Sequence, residues 1–267
     1  MHENKKDKAS KRKLTLFILI MLSKNTINFI RSLKDKKTRQ QEMLFTAEGT
    51  KSVIELCHAS KISVKGVFAT KDWLEEYASE IPKNIELNDA SNKELEQISS
   101  LKTHQNVLMV AKIPDSNIDK IAFDDGLNLI IDTVQDPGNL GTIIRIADWY
   151  GIKNVVCSLA CADAYNSKTI QASMASIARV NVLYTDLNDF LSKHKLPVYG
   201  AVMDGENLKN IKLQIPAFLL IGNEGKGIST ELKKYITHAI TIAKVGEAES
   251  LNAAIATAII CDRMTFN

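Results

Sequence analysis

Apolar and polar positions along the chain follow two different periods, and the change of period marks out the elements. Thr50 to Ala59 is spaced as a helix, and Val64 to Ala69 reads as a short buried strand. Helical patterns return at Lys71 to Tyr77 and Asn92 to Ser99, and Asn106 to Val110 is again strand-like. Residues 23–112 are therefore predicted to form a small α/β domain. Residues 113–125, with Pro114, Asp115, Ser116 and Asn117, are polar and irregular, which predicts a linker.

Residues 126–267 alternate strand and helix. Leu127 to Ile131 is an unbroken apolar run, as expected of a strand buried on both faces of a parallel sheet. Further strands are predicted at Asn154–Cys157, Val198–Val202, Phe218–Ile221 and Ala239–Ile242. Helices are predicted at Gly141–Tyr150, Ser167–Ile177, Leu187–His194, Thr230–Tyr235 and Asn252–Arg263. This alternation indicates an α/β fold with a doubly wound parallel sheet in the C-terminal domain.

A chain of 267 residues that is 45% hydrophobic has material for two cores. Its net charge of +3 is unevenly spread. Residues 1–42 hold twelve Lys or Arg against four Asp or Glu, a net +8, so the remaining residues carry −5. A basic end on a mildly acidic body suits a polyanion, although a solvated tail has the same composition. Residues 1–22 form a basic and apolar extension, and its run Leu14 to Leu22 is too short to span a bilayer. No cleavage site follows it, so export is not expected, and Met21 is a candidate start. The four cysteines lack paired spacing and the five histidines lie away from them, which predicts a reduced, metal-free, cytoplasmic protein.

Three turns carry candidate chemistry, each where a strand should end. Asp136-Pro137-Gly138-Asn139-Leu140-Gly141 opens a helix, whose free N–H groups favour anions, with Arg145 about one turn further on. Gly222-Asn223-Glu224-Gly225-Lys226-Gly227 is rich in backbone and carries one carboxylate. It lacks the spacing of a P-loop or a GxGxxG dinucleotide turn, which disfavours a nucleotide hydrolase or a dehydrogenase. Glu249, Ser250 and Asn252 precede a long apolar helix. Taken singly, each also reads as an ordinary helix cap or loop. Together, outside the carboxyl ends of sheet strands, they suggest one composite site.

In order and wording these segments resemble the SpoU-type (TrmH-like) RNA ribose 2′-O-methyltransferases of the SPOUT superfamily. The first motif is similar in Asn139, Gly141, Thr142, Arg145, Ala147 and Gly151. The second is similar in Ile221 to Gly225 with Gly227, and the third in Ser250, Leu251, Asn252, Ala253 and Ala256. The N-terminal region resembles the family's ribosomal-protein-like substrate-binding domain through Ser32-Leu33, Lys37, Arg39, Phe45, Glu48-Gly49 and Thr103 to Gln105. The chain departs from the pattern at Ala243 and Lys244, where Pro and an apolar residue are common, and at Gln171 and Ala175, where Arg and Gly are common.

The resemblance implies a trefoil knot in the C-terminal domain, S-adenosylmethionine as cofactor, no metal, and a homodimer whose active site draws on both subunits. It implies an RNA substrate, ribosomal RNA more than transfer RNA, and nominates Asn139, Arg145, Glu224, Ser250 and Asn252 as catalytic. Arg145 is always protonated, so its expected role is to grip a phosphate and stabilise the developing alkoxide. Asn139 is expected to orient the ribose or Arg145, and Glu224 to orient Arg145. Groups at Val202, Met203, Gly222, Asn223, Ile242 and Leu251 are expected to hold the cofactor, and Lys37 and Arg39 to contact RNA phosphates. The alternative from another class is a catalytically silent RNA-binding or ribosome-assembly factor on the same scaffold.

Overall fold

The structure, a computed structural model, describes residues 22–212 and 214–265. The N-terminal extension, with its candidate start at Met21, lies outside the described residues except for Leu22. The first part of the chain runs α1 (Lys24–Ser32), α2 (Lys36–Glu42), β1 (Leu44–Glu48), α3 (Thr50–His58), β2 (Val64–Ala69), α4 (Lys71–Tyr77), β3 (Leu87–Asp89), α5 (Asn92–Ile98) and β4 (Val107–Lys112). Its four strands form a mixed sheet in the order β1-β4-β2-β3, with β4 antiparallel to both neighbours and β2 parallel to β3. Helix starts follow their caps: Ser91 and Glu94 make a reciprocal capping box on α5, and Asp35 and Thr70 cap α2 and α4.

The second part runs β5 (Leu127–Ile131), α6 (Pro137–Trp149), β6 (Asn154–Ser158), α7 (Ser167–Ser173), β7 (Asn181–Thr185), α8 (Leu187–Lys193), β8 (Val198–Asn207), β9 (Ala217–Ile221), α9 (Thr230–Lys233), β10 (His238–Thr241) and α10 (Ala253–Thr265). Its six strands are all parallel, in the order β10-β8-β9-β5-β6-β7. The strand order reverses between β5 and β9, and a crevice forms at such a point because the loops after the two strands turn to opposite sides of the sheet. The two best-matched turns follow these two strands.

The predicted strands β2 and β5 and the helix α4 lie where expected. The helix predicted from Gly141 starts earlier, because Asp136 caps it by accepting the Asn139 N–H at 2.8 Å and Pro137 occupies its first position. Asn139 thus sits in the first turn, not at the cap. The helix predicted to reach Ile177 stops at Ser173, since Met174 and Ala175 adopt positive φ of 48° and 67°. The segment expected to be a linker contributes Phe123 to a core shared with Phe190 and Phe218.

One apolar core joins the two sheets. Phe45 and Val53 belong to the same buried cluster as Leu140, Ile143 and Val155. The Phe45 ring lies 5.1 Å from that of Tyr165, in the turn that leads into α7.

Candidate active site

At the end of β5, Thr133 takes a positive φ of 60°, unusual for a β-branched residue. Its bonds hold it there. The Thr133 N–H donates to Ser158 Oγ at 3.0 Å, its hydroxyl donates to Asp132 at 2.8 Å, and its carbonyl accepts from Asn223 Nδ2 at 2.9 Å. Asp132, buried, also accepts the Ser229 N–H at 2.8 Å. These bonds tie the loop after β5 to the turn after β9. Behind them, hydrogen bonding by Cys157 and Ser158 lowers the Cys161 thiol to about 7, against the effect of burial.

The turn after β9 is tightly closed. Asn223 and Gly227 exchange backbone hydrogen bonds at 3.0 and 2.9 Å, and Asn223 Oδ1 accepts the N–H groups of Gly225 and Lys226. A Cβ on Gly222 would stand 2.3 Å from the Gly227 carbonyl carbon, so only glycine fits. With its side chain engaged on both ends, Asn223 shapes the turn.

That closure places Glu224 beside α6. Asn139 Nδ2 donates to Glu224 Oε1 at 2.7 Å, and Asn139 Oδ1 accepts from Asn252 Nδ2 at 3.0 Å. Asn252 in turn caps α10, its Oδ1 accepting the Ala254 and Ile255 N–H groups at 2.9 and 3.3 Å. The three predicted turns therefore meet in a chain of side chains, Asn252 to Asn139 to Glu224.

Arg145 departs from its expected place. Glu224 is bonded by Asn139, not by Arg145, because Arg145 lies about 120° around the helix from Asn139 and about 9 Å further along it. Arg145 is exposed and has no hydrogen-bonding or ionic partner among the described residues. On α6 it shares a face with Trp149, four positions on, which is 82% exposed.

Next to this chain opens a cleft of about 1140 Å³, lined by Val202, Met203, Gly222, Asn223, Glu224, Ile242, Ser250 and Leu251 among others. Its outer wall arises from a break in pairing. The partners of β10 on β8 jump from Gly200 to Glu206, and Ala201 to Asp204, in the bulge of β8 between them, line the cleft. Gly205 closes that bulge, since a Cβ there would meet the Ile240 carbonyl carbon at 2.5 Å. The sequence prediction ended this strand at Val202 and contained no signal for the bulge.

The residues present fit S-adenosylmethionine. Val202, Ile242 and Leu251 offer apolar surface to a flat base, and three loops expose backbone groups to its edge. Glu224, Asp204 and Glu249 also line the cleft, and their negative charge would suit a sulfonium. In the smaller domain, Lys37 is exposed on α2, whereas Arg39 is 3% exposed and bound to Asp163 at 2.6 Å. Arg39 corrects the expected pair of phosphate contacts, because its guanidinium is enclosed within the protein. Among the described residues no group of acidic, His or Cys side chains is placed to hold a metal ion, and no helix is long and apolar enough to cross a membrane.

A parallel sheet with a cleft at its point of reversal, and a second α/β domain packed beside it, defines a two-domain α/β protein with a ligand cleft at the switch point of its sheet. Comparison with known proteins narrows this. Residues 126–262 match the SpoU rRNA Methylase family, and residues 24–109 match the MRM3-like substrate binding domain. The chain is 32% identical over 243 residues to the 23S rRNA (guanosine(2553)-2′-O)-methyltransferase RlmP of Bacillus subtilis, covering 86% of this chain and 96% of that one. A solved structure of a TrmH-family protein from Porphyromonas gingivalis superposes with a TM-score of 0.82 at 37% identity, over 92% of this chain and 98% of that one. The AdoMet-bound rRNA methyltransferase of Sinorhizobium meliloti superposes with a TM-score of 0.82 at 26% identity, over 92% and 97%. The chain belongs to the SpoU rRNA Methylase family and is an RNA methyltransferase.

Proposed function

We propose that the protein transfers a methyl group from S-adenosylmethionine to a ribose 2′-hydroxyl of ribosomal RNA, as a homodimer in the cytoplasm. The observation that carries this reading is the bonded chain Asn252–Asn139–Glu224 at the mouth of the cleft. The cofactor supplies an electrophilic methyl group on sulfur, whose departure leaves a neutral thioether. What the chain must supply is positioning and charge at the hydroxyl.

Val202, Met203, Gly222, Asn223, Ile242 and Leu251 hold the cofactor by backbone groups and apolar contact. Asn139, fixed by Glu224 and Asn252, presents a rigid amide to the ribose, and Ser250 at the cleft edge contacts the nucleotide. Arg145 binds the adjoining phosphate and stabilises negative charge on the hydroxyl oxygen as its proton leaves to water. Lys37 contacts RNA phosphate from the smaller domain, residues 23–112, with residues 113–125 connecting it to residues 126–267.

The dimer is supported by an apolar strip. Ile255 and Ile259, four apart along α10, are 51% and 41% exposed, and Trp149 is exposed on the neighbouring α6. Burying this strip against a second copy carries Arg145, on the Trp149 face, toward the partner's cleft. The same reading includes a trefoil knot in this domain, as in the family the chain belongs to.

The test is mapping of 2′-O-methyl sites in ribosomal and transfer RNA from cells with and without the gene. Loss of one methylated ribose in ribosomal RNA, restored by the wild type and not by Arg145→Ala, is expected. A transfer RNA site would reassign the substrate, and an unchanged profile would favour a silent RNA-binding factor.

A further inference from the structure

We propose that Arg39 and Asp163 form a positioning pair that fixes the substrate-binding domain against the catalytic helix and so selects which ribose is presented; this rests on the methyl-transfer reading above. The pair is built with more precision than holding two domains together requires. Arg39 Nε and Nη2 both donate to Asp163 Oδ2, at 3.1 and 2.6 Å, while Nη1 donates to the carbonyls of Leu33 and Lys34 at 2.8 and 2.7 Å. A planar fork satisfied at each prong holds one orientation, which an apolar contact does not.

Each partner continues into working machinery. Arg39 is the inward cation of α2, whose outer face exposes Lys36, Lys37, Gln40 and Gln41, so RNA held on that face bears on the same short helix. Asp163 Oδ1 accepts the Tyr165 N–H at 2.9 Å, and its carbonyl accepts the Thr169 hydroxyl at 2.8 Å, which fixes the start of α7. Helix α7 meets α6 at Gly141, where a Cβ would lie 2.5 Å from the Thr169 carbonyl oxygen. Helix α6 carries Asn139 and Arg145. The path from RNA face to reacting groups is therefore α2, Arg39, Asp163, α7 and Gly141, with close contact at each step. A second link between the domains, Arg179 to Glu55 at 2.5 Å, is half-exposed and screened by solvent.

The test compares full-length wild type with Asp163→Asn, Arg39→Lys and Glu55→Gln. Methyl transfer is assayed on ribosomal RNA from cells lacking the gene, with rates normalised to cofactor-binding sites and methylated positions mapped. Spin labels at Lys102→Cys and Lys195→Cys, both exposed and one in each domain, report the distance between domains. Asp163→Asn is expected to broaden that distance distribution, lower kcat by about tenfold or more and spread methylation to neighbouring riboses, with KM for RNA within about threefold of wild type. Arg39→Lys, which keeps the charge, is expected to recover part of both, and Glu55→Gln to match wild type. A narrow distribution with unchanged kcat and position in Asp163→Asn and Arg39→Lys overturns the proposal. So does a loss of RNA affinity in step with kcat, which would assign the pair to RNA contact or general folding. Should the wild type transfer no methyl group, the methyl-transfer reading fails and the distance distributions decide the positioning role alone.

Discussion

Asn139 and Glu224, 85 residues apart, share a 2.7 Å hydrogen bond that joins the first turn of α6 to the turn after β9. The donor is neutral and the acceptor charged, which makes this bond stronger than an amide pair. Asn139→Ala removes it and frees Asn252 as well. The expected cost is about tenfold to a hundredfold in single-turnover methyl transfer, the loss of one bond to a charged group, with cofactor affinity by calorimetry changed less. Asn139→Asp sets two carboxylates face to face and is expected to be worse. Equal rates in all three proteins would remove the amide from the reaction.

Arg145→Ala is expected to fold normally and lose on the order of a hundredfold in turnover, as for one transition-state donor. Because Arg145 points away from Glu224 in its own subunit, mixing Arg145→Ala with Asn139→Ala should restore activity to about a quarter of wild type through mixed dimers. No restoration after subunit exchange would place the arginine at its own subunit's site.

The strip on α10 gives a test of assembly separate from chemistry. Ile255→Glu with Ile259→Glu places two charges on an apolar face and is expected to give monomers by sedimentation, with methyl transfer lost and the fold retained. A dimer that survives both changes lies elsewhere on the surface.

Gly141→Ala tests the contact of α6 with α7. The added methyl would stand 2.6 Å from the Ala172 Cβ and 2.5 Å from a backbone oxygen, neither at the end of a flexible side chain. A loss of about 1–3 kcal/mol in urea unfolding is expected, despite the higher helix propensity of alanine. Unchanged stability would mean that the helices separate at little cost.

Asp148 supplies a pH dependence. Burial disfavours its charge, but hydrogen bonds from Arg179 and Ser176 and the guanidinium charge outweigh it, so its pKa is lowered below the ordinary carboxylate range. A carboxyl depressed by folding stabilises above its unfolded pKa of about 4, and that contribution is lost as pH falls through the lower folded value. Unfolding curves between neutral pH and about pH 3 should therefore converge for wild type and Asp148→Asn at the acid end. Parallel curves would contradict the shift.

Much of this fold is legible in the amino-acid sequence. Unbroken apolar runs such as Leu127 to Ile131 announce a strand buried on both faces, whereas the Asp-Pro start of α6 is read four residues late, at Gly141. Segments missed include α1, α2 and β1, which are not delimited although Ser23 and Asp35 cap the two helices, and two others whose local signals are weak. Leu87–Asp89 is short and polar, and Asn181–Thr185 follows a turn made by Met174 and Ala175, where no glycine signals left-handed backbone. In the site, the meeting of three turns was legible and the pairings within it were not. Sequence spacing does not tell which way Asn139 and Arg145 face on α6, and the net charge of α2 does not tell that Arg39 faces inward.

The bond from Asn252 to Asn139 also bears on when the protein acquires its function during synthesis. Both glycine-bearing turns and the helix with Arg145 emerge from the ribosome before Asn252 does. A fragment released early would carry nearly the whole sheet yet leave the Asn139 amide without its second partner and the cleft without its Leu251 wall. Completion of the site therefore waits on the segment after β10, because the Asn139 amide gains its second partner only when Asn252 is in place.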